Sequence, residues 1–178
     1  MNKEFVVDRL DIRSFAQAGA ELSGQIPLKD FPRLAAEAQA AADVRQIDWH
    51  VRGELRSAPG DADQVWLQLS ASLVLPMTCQ RCLTPVDIRL LVDRPFRFVP
   101  DEEAAAALDE EAEEDVLELS KAFDLAGLIE DELLMALPVV PRHKICPVEV
   151  KMAVADKDFE TETAVKPNPF AALSKLKG

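Results

Sequence analysis

The sequence predicts an α+β protein: a mainly antiparallel sheet, able to curl into a split barrel, with two principal helices packed on it. Three observations lead there. Val65, Leu67, Leu69, Ala71, Leu73 and Leu75 recur at strict period two, with Gln68, Ser70 and Ser72 opposite them, the spacing of a strand with one buried face. Val86, Ile88, Leu90 and Val92 resume the alternation after "TCQRCLTP", so the two runs form a hairpin-like pair. In "AFDLAGLIEDELLMALPVVP", Leu125, Leu128, Ile129, Leu133, Ala136 and Leu137 fall on one stripe at helical spacing.

Taken in order, "EFVVDRLDI" and "AELSGQIPL" read as short strands broken by Gly19, Gly24 and Pro27. "DFPRLAAEAQAA" reads as a helix with Asp30 as N-cap and Pro32 in the first turn. "RQIDWHVRGEL" alternates Ile47, Trp49 and Val51 against Asp48, His50 and Arg52, a half-buried strand. "SAPGDADQ" is a loop, and Pro76 and Pro85 border the hairpin tip. "RPFRFVP" extends or ends the second hairpin strand. Asp124 caps the long helix and Pro138 stops it, with Glu130, Asp131 and Glu132 expected on its solvated side.

Charge is unevenly spread. The net charge is −12, and "DEEAAAALDEEAEEDVLE" at 101–118 holds ten acids and no base; without that block the rest of the chain carries only −2. Having no apolar face before "VLEL", the segment reads as a mobile surface loop, placed at 101–115, or a partly frayed helix. The expected organisation is a single α+β domain over 1–155 and a polar, then basic, tail over 156–178. An apolar content of 48% suits a packed core. No run approaches the roughly 20 apolar residues of a membrane span, and "MNKEFVVDRLDIRSF" lacks an apolar stretch of signal-peptide length. A soluble, cytoplasmic protein without a membrane partner is expected.

All three cysteines fall in two short-spaced pairs, Cys79/Cys82 and His143/Cys146. A two-residue gap lets two side chains on one tight turn converge on a single ion, and two such turns complete a Cys3His tetrahedron around a structural zinc. Unliganded thiols and a redox pair are the alternatives. The redox reading fits worst, because a thioredoxin-type CxxC opens a helix, whereas the residues after Cys82 alternate as a strand. GxSxG, P-loop, GxGxxG and HExxH patterns are absent from the sequence, so no enzyme is expected. Arg81, Arg89, Arg94 and Arg97 cluster along the hairpin, and Arg142 and Lys144 flank the second pair. If the pairs meet, Arg81, Arg142 and Lys144 gather into a phosphate-sized patch, making all six cations candidate RNA contacts.

"CQRC", "EDELLMALPVVPRH" and "KPNPFAALSKLK", in that order around an acidic insert, resemble the YceD family, the bacterial large ribosomal RNA subunit accumulation proteins. The resemblance runs from about Leu22 to Lys177 and is firmest after Val65. Cys79 and Cys82 correspond to the family's CxxC. Cys146 falls where many members carry a further cysteine, and His143 stands in place of that pair's first cysteine. The resemblance implies a non-enzymatic ribosome-biogenesis factor in the synthesis, processing or stability of large-subunit ribosomal RNA. Its partner would be precursor RNA or an immature large subunit. The alternative is an acidic adaptor whose 101–118 block captures a basic ribosomal protein or assembly factor, affecting RNA indirectly.

Overall fold

A computed structural model of the chain describes residues 5–39, 44–57, 63–109 and 112–151. The tail expected at 156–178 lies outside the described residues, as do Glu110 and Glu111 of the acidic block. The architecture is α+β. Five strands, β1 (Glu21–Pro27), β2 (Gln46–Arg56), β3 (Gln64–Thr78), β4 (Pro85–Val99) and β5 (Asp115–Glu118), lie side by side in sequence order. Neighbours pair antiparallel up to β4, and β5 then joins β4 in parallel. The sheet is open and does not close into a barrel.

Strict alternation on β2, β3 and β4 puts Ile47, Val51, Leu67, Leu69, Leu75, Leu90 and Phe96 on one face, each almost fully buried. Three helices cover that face: α1 (Ile12–Gln17), α2 (Pro32–Glu37) and α4 (Leu125–Met135). Helix α1 lies across β2 and β3, α4 lies across β3 and β4, and α2 packs on α4. Gly53 makes the first contact possible. A Cβ there would sit 2.6 Å from the Phe15 ring and 2.9 Å from the Ala16 backbone, so only glycine lets α1 approach β2 this closely.

Several sequence expectations need correction. The described part of "EFVVDRLDI", from Phe5 on, forms no strand of the sheet; it makes a 3-10 turn (Val7–Arg9) and leads into α1, with Leu10 bridging to Phe123. Helix favours this stretch because Asp11 caps α1, accepting from the Ser14 N–H at 3.0 Å. Asp30 does not cap α2; Phe31 occupies that position without a side-chain cap bond of its own. The cap comes from the distant helix α4. Glu130 Oε1 accepts from the N–H groups of Arg33 (2.9 Å) and Leu34 (3.1 Å). Glu130 and Glu132 are accordingly buried rather than solvated, and only Asp131 faces out.

The acidic segment carries regular structure on both sides of residues 110–111: helix α3 (Glu102–Asp109) and β5. Asp124 caps α4 as expected, accepting from Gly127 N–H at 2.9 Å.

Candidate metal centre

Strands β3 and β4 run fifteen residues each, paired from Val65↔Phe98 to Thr78↔Pro85. Their tip is the segment Cys79 to Thr84. Cys79 N–H donates to the Thr84 carbonyl (2.9 Å), and Leu83 N–H donates back to the Cys79 carbonyl (2.8 Å). Leu83 completes the turn at φ +59°, left-handed backbone that costs a branched side chain about 1 kcal/mol or more. The turn gathers Cys79 and Cys82 onto the same side of the hairpin.

After α4, Pro138 ends the helix and residues 138–146 run back to the hairpin tip. Gln80 N–H donates to the Pro141 carbonyl (2.8 Å), and His143 N–H reaches the Cys79 sulfur at 3.5 Å. The ligand atoms of Cys79, Cys82, His143 and Cys146 all lie within 4.8 Å of one another. Cys82 Sγ is 3.4 Å from His143 Nδ1 and 3.1 Å from Thr84 Oγ1. Around zinc, with bonds near 2.3 Å to sulfur, tetrahedral ligand atoms stand about 3.7 Å apart. Three sulfurs and one imidazole nitrogen at this spacing therefore fit a single ion, and the sequence expectation that the two pairs converge is met.

The electrostatics favour anionic sulfur at the two hairpin cysteines. Burial alone pushes the Cys79 thiol up, but backbone N–H groups of Cys82, His143 and Arg81 aimed at the sulfur outweigh it and bring it down to about 5. Cys82 is lowered chiefly by the Thr84 hydroxyl. His143 is raised by its hydrogen bond to Cys79, whereas Cys146 is raised by burial and by the neighbouring Cys82. Arg81, between the two hairpin cysteines, turns inward across the gap. Its Nε donates to Cys146 Sγ (3.1 Å) and one terminal nitrogen donates to the His143 carbonyl (2.8 Å).

The six candidate RNA-contact cations separate into three groups. Arg81 is committed to the cluster just described. Arg94 pairs with Asp115 (2.8 Å) and the buried Glu132 (3.2 Å), and Arg97 with Glu114 (3.7 Å). Arg89, Arg142 and Lys144 share the lining of one open groove. Sequence reasoning did not find the roles of Glu130 and Glu132. The only trace in the sequence is that both sit in an acidic triplet on the helix with the strongest apolar stripe.

A small α+β protein whose hairpin tip and post-helix segment meet in a thiol-rich cluster defines the class. Residues 67–177 match the family model described as "Large ribosomal RNA subunit accumulation protein YceD", and the chain belongs to that family. A relative from Haemophilus influenzae carrying the same description is 37% identical over 103 residues. The aligned stretch covers 57% of this chain and 59% of that relative's length. No solved structure matches the chain.

Proposed function

We propose that this protein is a non-enzymatic ribosome-biogenesis factor that acts in the cytoplasm in the synthesis, processing or stability of large-subunit ribosomal RNA. The family membership across 67–177 carries this reading, together with the description that the relative bears. Its partner is precursor RNA or an immature large subunit. Loss of the gene is expected to lower large-subunit RNA relative to small-subunit RNA, read by total-RNA electrophoresis. An unchanged ratio would refute the assignment.

Cys79, Cys82, His143 and Cys146 hold a structural zinc in this reading, supported by the spacing of their ligand atoms. The ion supplies a cross-link, not chemistry: it ties the β3–β4 tip to the segment after α4. Elemental analysis of protein purified without chelator is expected to find close to one zinc per chain. A content below about 0.1 would remove the metal from the account.

A second reading has one specific observation behind it. Glu114, Asp115 and Glu132 neutralise Arg94 and Arg97 within the chain, while Glu102 and Glu103 of α3 stay exposed, which suits an acidic adaptor for a basic ribosomal protein or assembly factor. Binding to large-subunit RNA fragments across a salt series, with and without residues 102–109, separates the two. Direct RNA binding is salt-sensitive and survives the deletion. Absence of RNA binding with tight, α3-dependent capture of a basic ribosomal protein selects the adaptor.

A further inference from the structure

The groove between β4 and the returning segment 138–145 has a volume of about 600 Å³, the scale of a small-ligand cleft. Arg89 on β4 forms one wall; Arg142 and Lys144 form the other, and all three are exposed. Among the described residues none of the three has a carboxylate partner. Asp87 is the one acid among the described lining residues, and Arg45, just before β2, engages it at 3.1 Å. Ile88, Val140 and Ile145 add apolar surface to the same lining, with Ile145 almost entirely exposed.

Among the described residues, no acid of the 101–118 segment lines this groove. Asp115 of that segment pairs with Phe96 on β4, seven residues beyond Arg89 and so about 23 Å along the strand. That is more than two Debye lengths of about 8 Å at physiological ionic strength. Among the described lining residues three cations therefore stand against Asp87, which Arg45 pairs, a local basic excess on a chain whose net charge is −12.

We infer that this groove binds a single strand of RNA, with phosphates on Arg89, Arg142 and Lys144 and a base against Ile88, Val140 and Ile145. A single strand fits better than a duplex because the apolar wall needs an unstacked base, which a helix keeps inside. The inference rests on the proposed role in large-subunit RNA and names the surface that would carry it.

Fluorescence anisotropy with labelled single-stranded fragments of large-subunit RNA, with oligouridine and with its duplex with oligoadenine tests it. Salt is varied from about 50 to 200 mM. Arg89→Glu, on a different segment from His143 and Cys146, and the triple variant Arg89→Glu, Arg142→Glu, Lys144→Glu are compared with Lys29→Glu and Lys121→Glu, exposed cations outside the groove. The triple variant is expected to weaken single-strand binding by at least about tenfold, and each single Arg or Lys→Ala change to flatten the log–log salt slope by about 0.7. Oligouridine should bind several-fold tighter than the duplex. Zinc content and far-UV circular dichroism confirm intact protein, and Arg89→Glu alone reads the groove if the triple loses metal. Full-strength binding by Arg89→Glu overturns the groove while leaving RNA binding standing. So does equal affinity for duplex, or equal binding of polyglutamate. A wild-type chain that binds none of these RNAs overturns both the groove and direct RNA contact.

Discussion

Glu130 does at a distance what Asp30 was expected to do locally. Its carboxylate takes two backbone donors at the start of α2 and pairs with Arg33 at 2.8 Å. Removing a helix cap costs about 1–2 kcal/mol, and Glu130 additionally fills a buried position. Glu130→Ala is therefore expected to destabilise the protein by about 2 kcal/mol in urea unfolding, with Glu130→Gln losing less because the amide oxygen still accepts. An unchanged midpoint for Glu130→Ala would refute the cap. Arg81 is the second residue with a testable role. By holding the Cys146 sulfur and the His143 carbonyl it orients two of the four proposed zinc ligands. Arg81→Ala should weaken zinc affinity about tenfold or more in a chelator competition. Arg81→Lys should not restore it, since a single ammonium lacks the fork that spans both acceptors. The members of the Cys/His cluster were legible in the sequence because two-residue spacing is a local property. Glu130 was not, because its partner lies 97 residues away and nothing local distinguishes a capping carboxylate from a solvated one.

At the scale of elements, alternation found β2, β3 and β4 because each exposes one face and buries the other, the pattern period two encodes. Helix α4 was equally plain, with Asp124 and Pro138 marking its ends. The misses have physical reasons. Helix α1 occupies just six residues, too few for helical periodicity to show, and its signal is the Asp11–Ser14 cap rather than an apolar stripe. Strand β5 is four residues long and pairs in parallel, so it depends on a crossover through α3 that its acidic sequence does not announce. Arg94 joins three of these elements, linking β4 to β5 through Asp115 and to α4 through Glu132. Arg94→Ala leaves the buried Glu132 without its cation and should cost about 2 kcal/mol. Adding Glu132→Ala to it should cost less than the sum of the single changes, and strict additivity in the double-mutant cycle would dismiss the linkage.

For the whole molecule, the two ends of the long β3–β4 hairpin have opposite character. One end carries the cysteine cluster and the basic groove; the other receives β5 and the acidic helix. Chelation should act on one end alone. Metal removal is expected to raise hydrogen exchange at residues 79–84 and 141–146, while amides of central β3 around Leu69 stay protected. Uniform loss of protection would mean that the metal holds the entire fold instead. The long-range cap on α2 also bears on the order in which the chain acquires its structure. During synthesis the residues of α2 precede those of α4, so the first turn of α2 has no carboxylate to close it until residue 130 has been made. Contacts of such sequence separation form late, because the loop they enclose must first lose its freedom. Leu34, fully buried beneath that turn, should therefore show a φ-value near 0 in refolding kinetics, while Leu69 in the hairpin shows a fractional one of about 0.5. A nascent chain ending before α4 would carry the first turn of α2 unfastened.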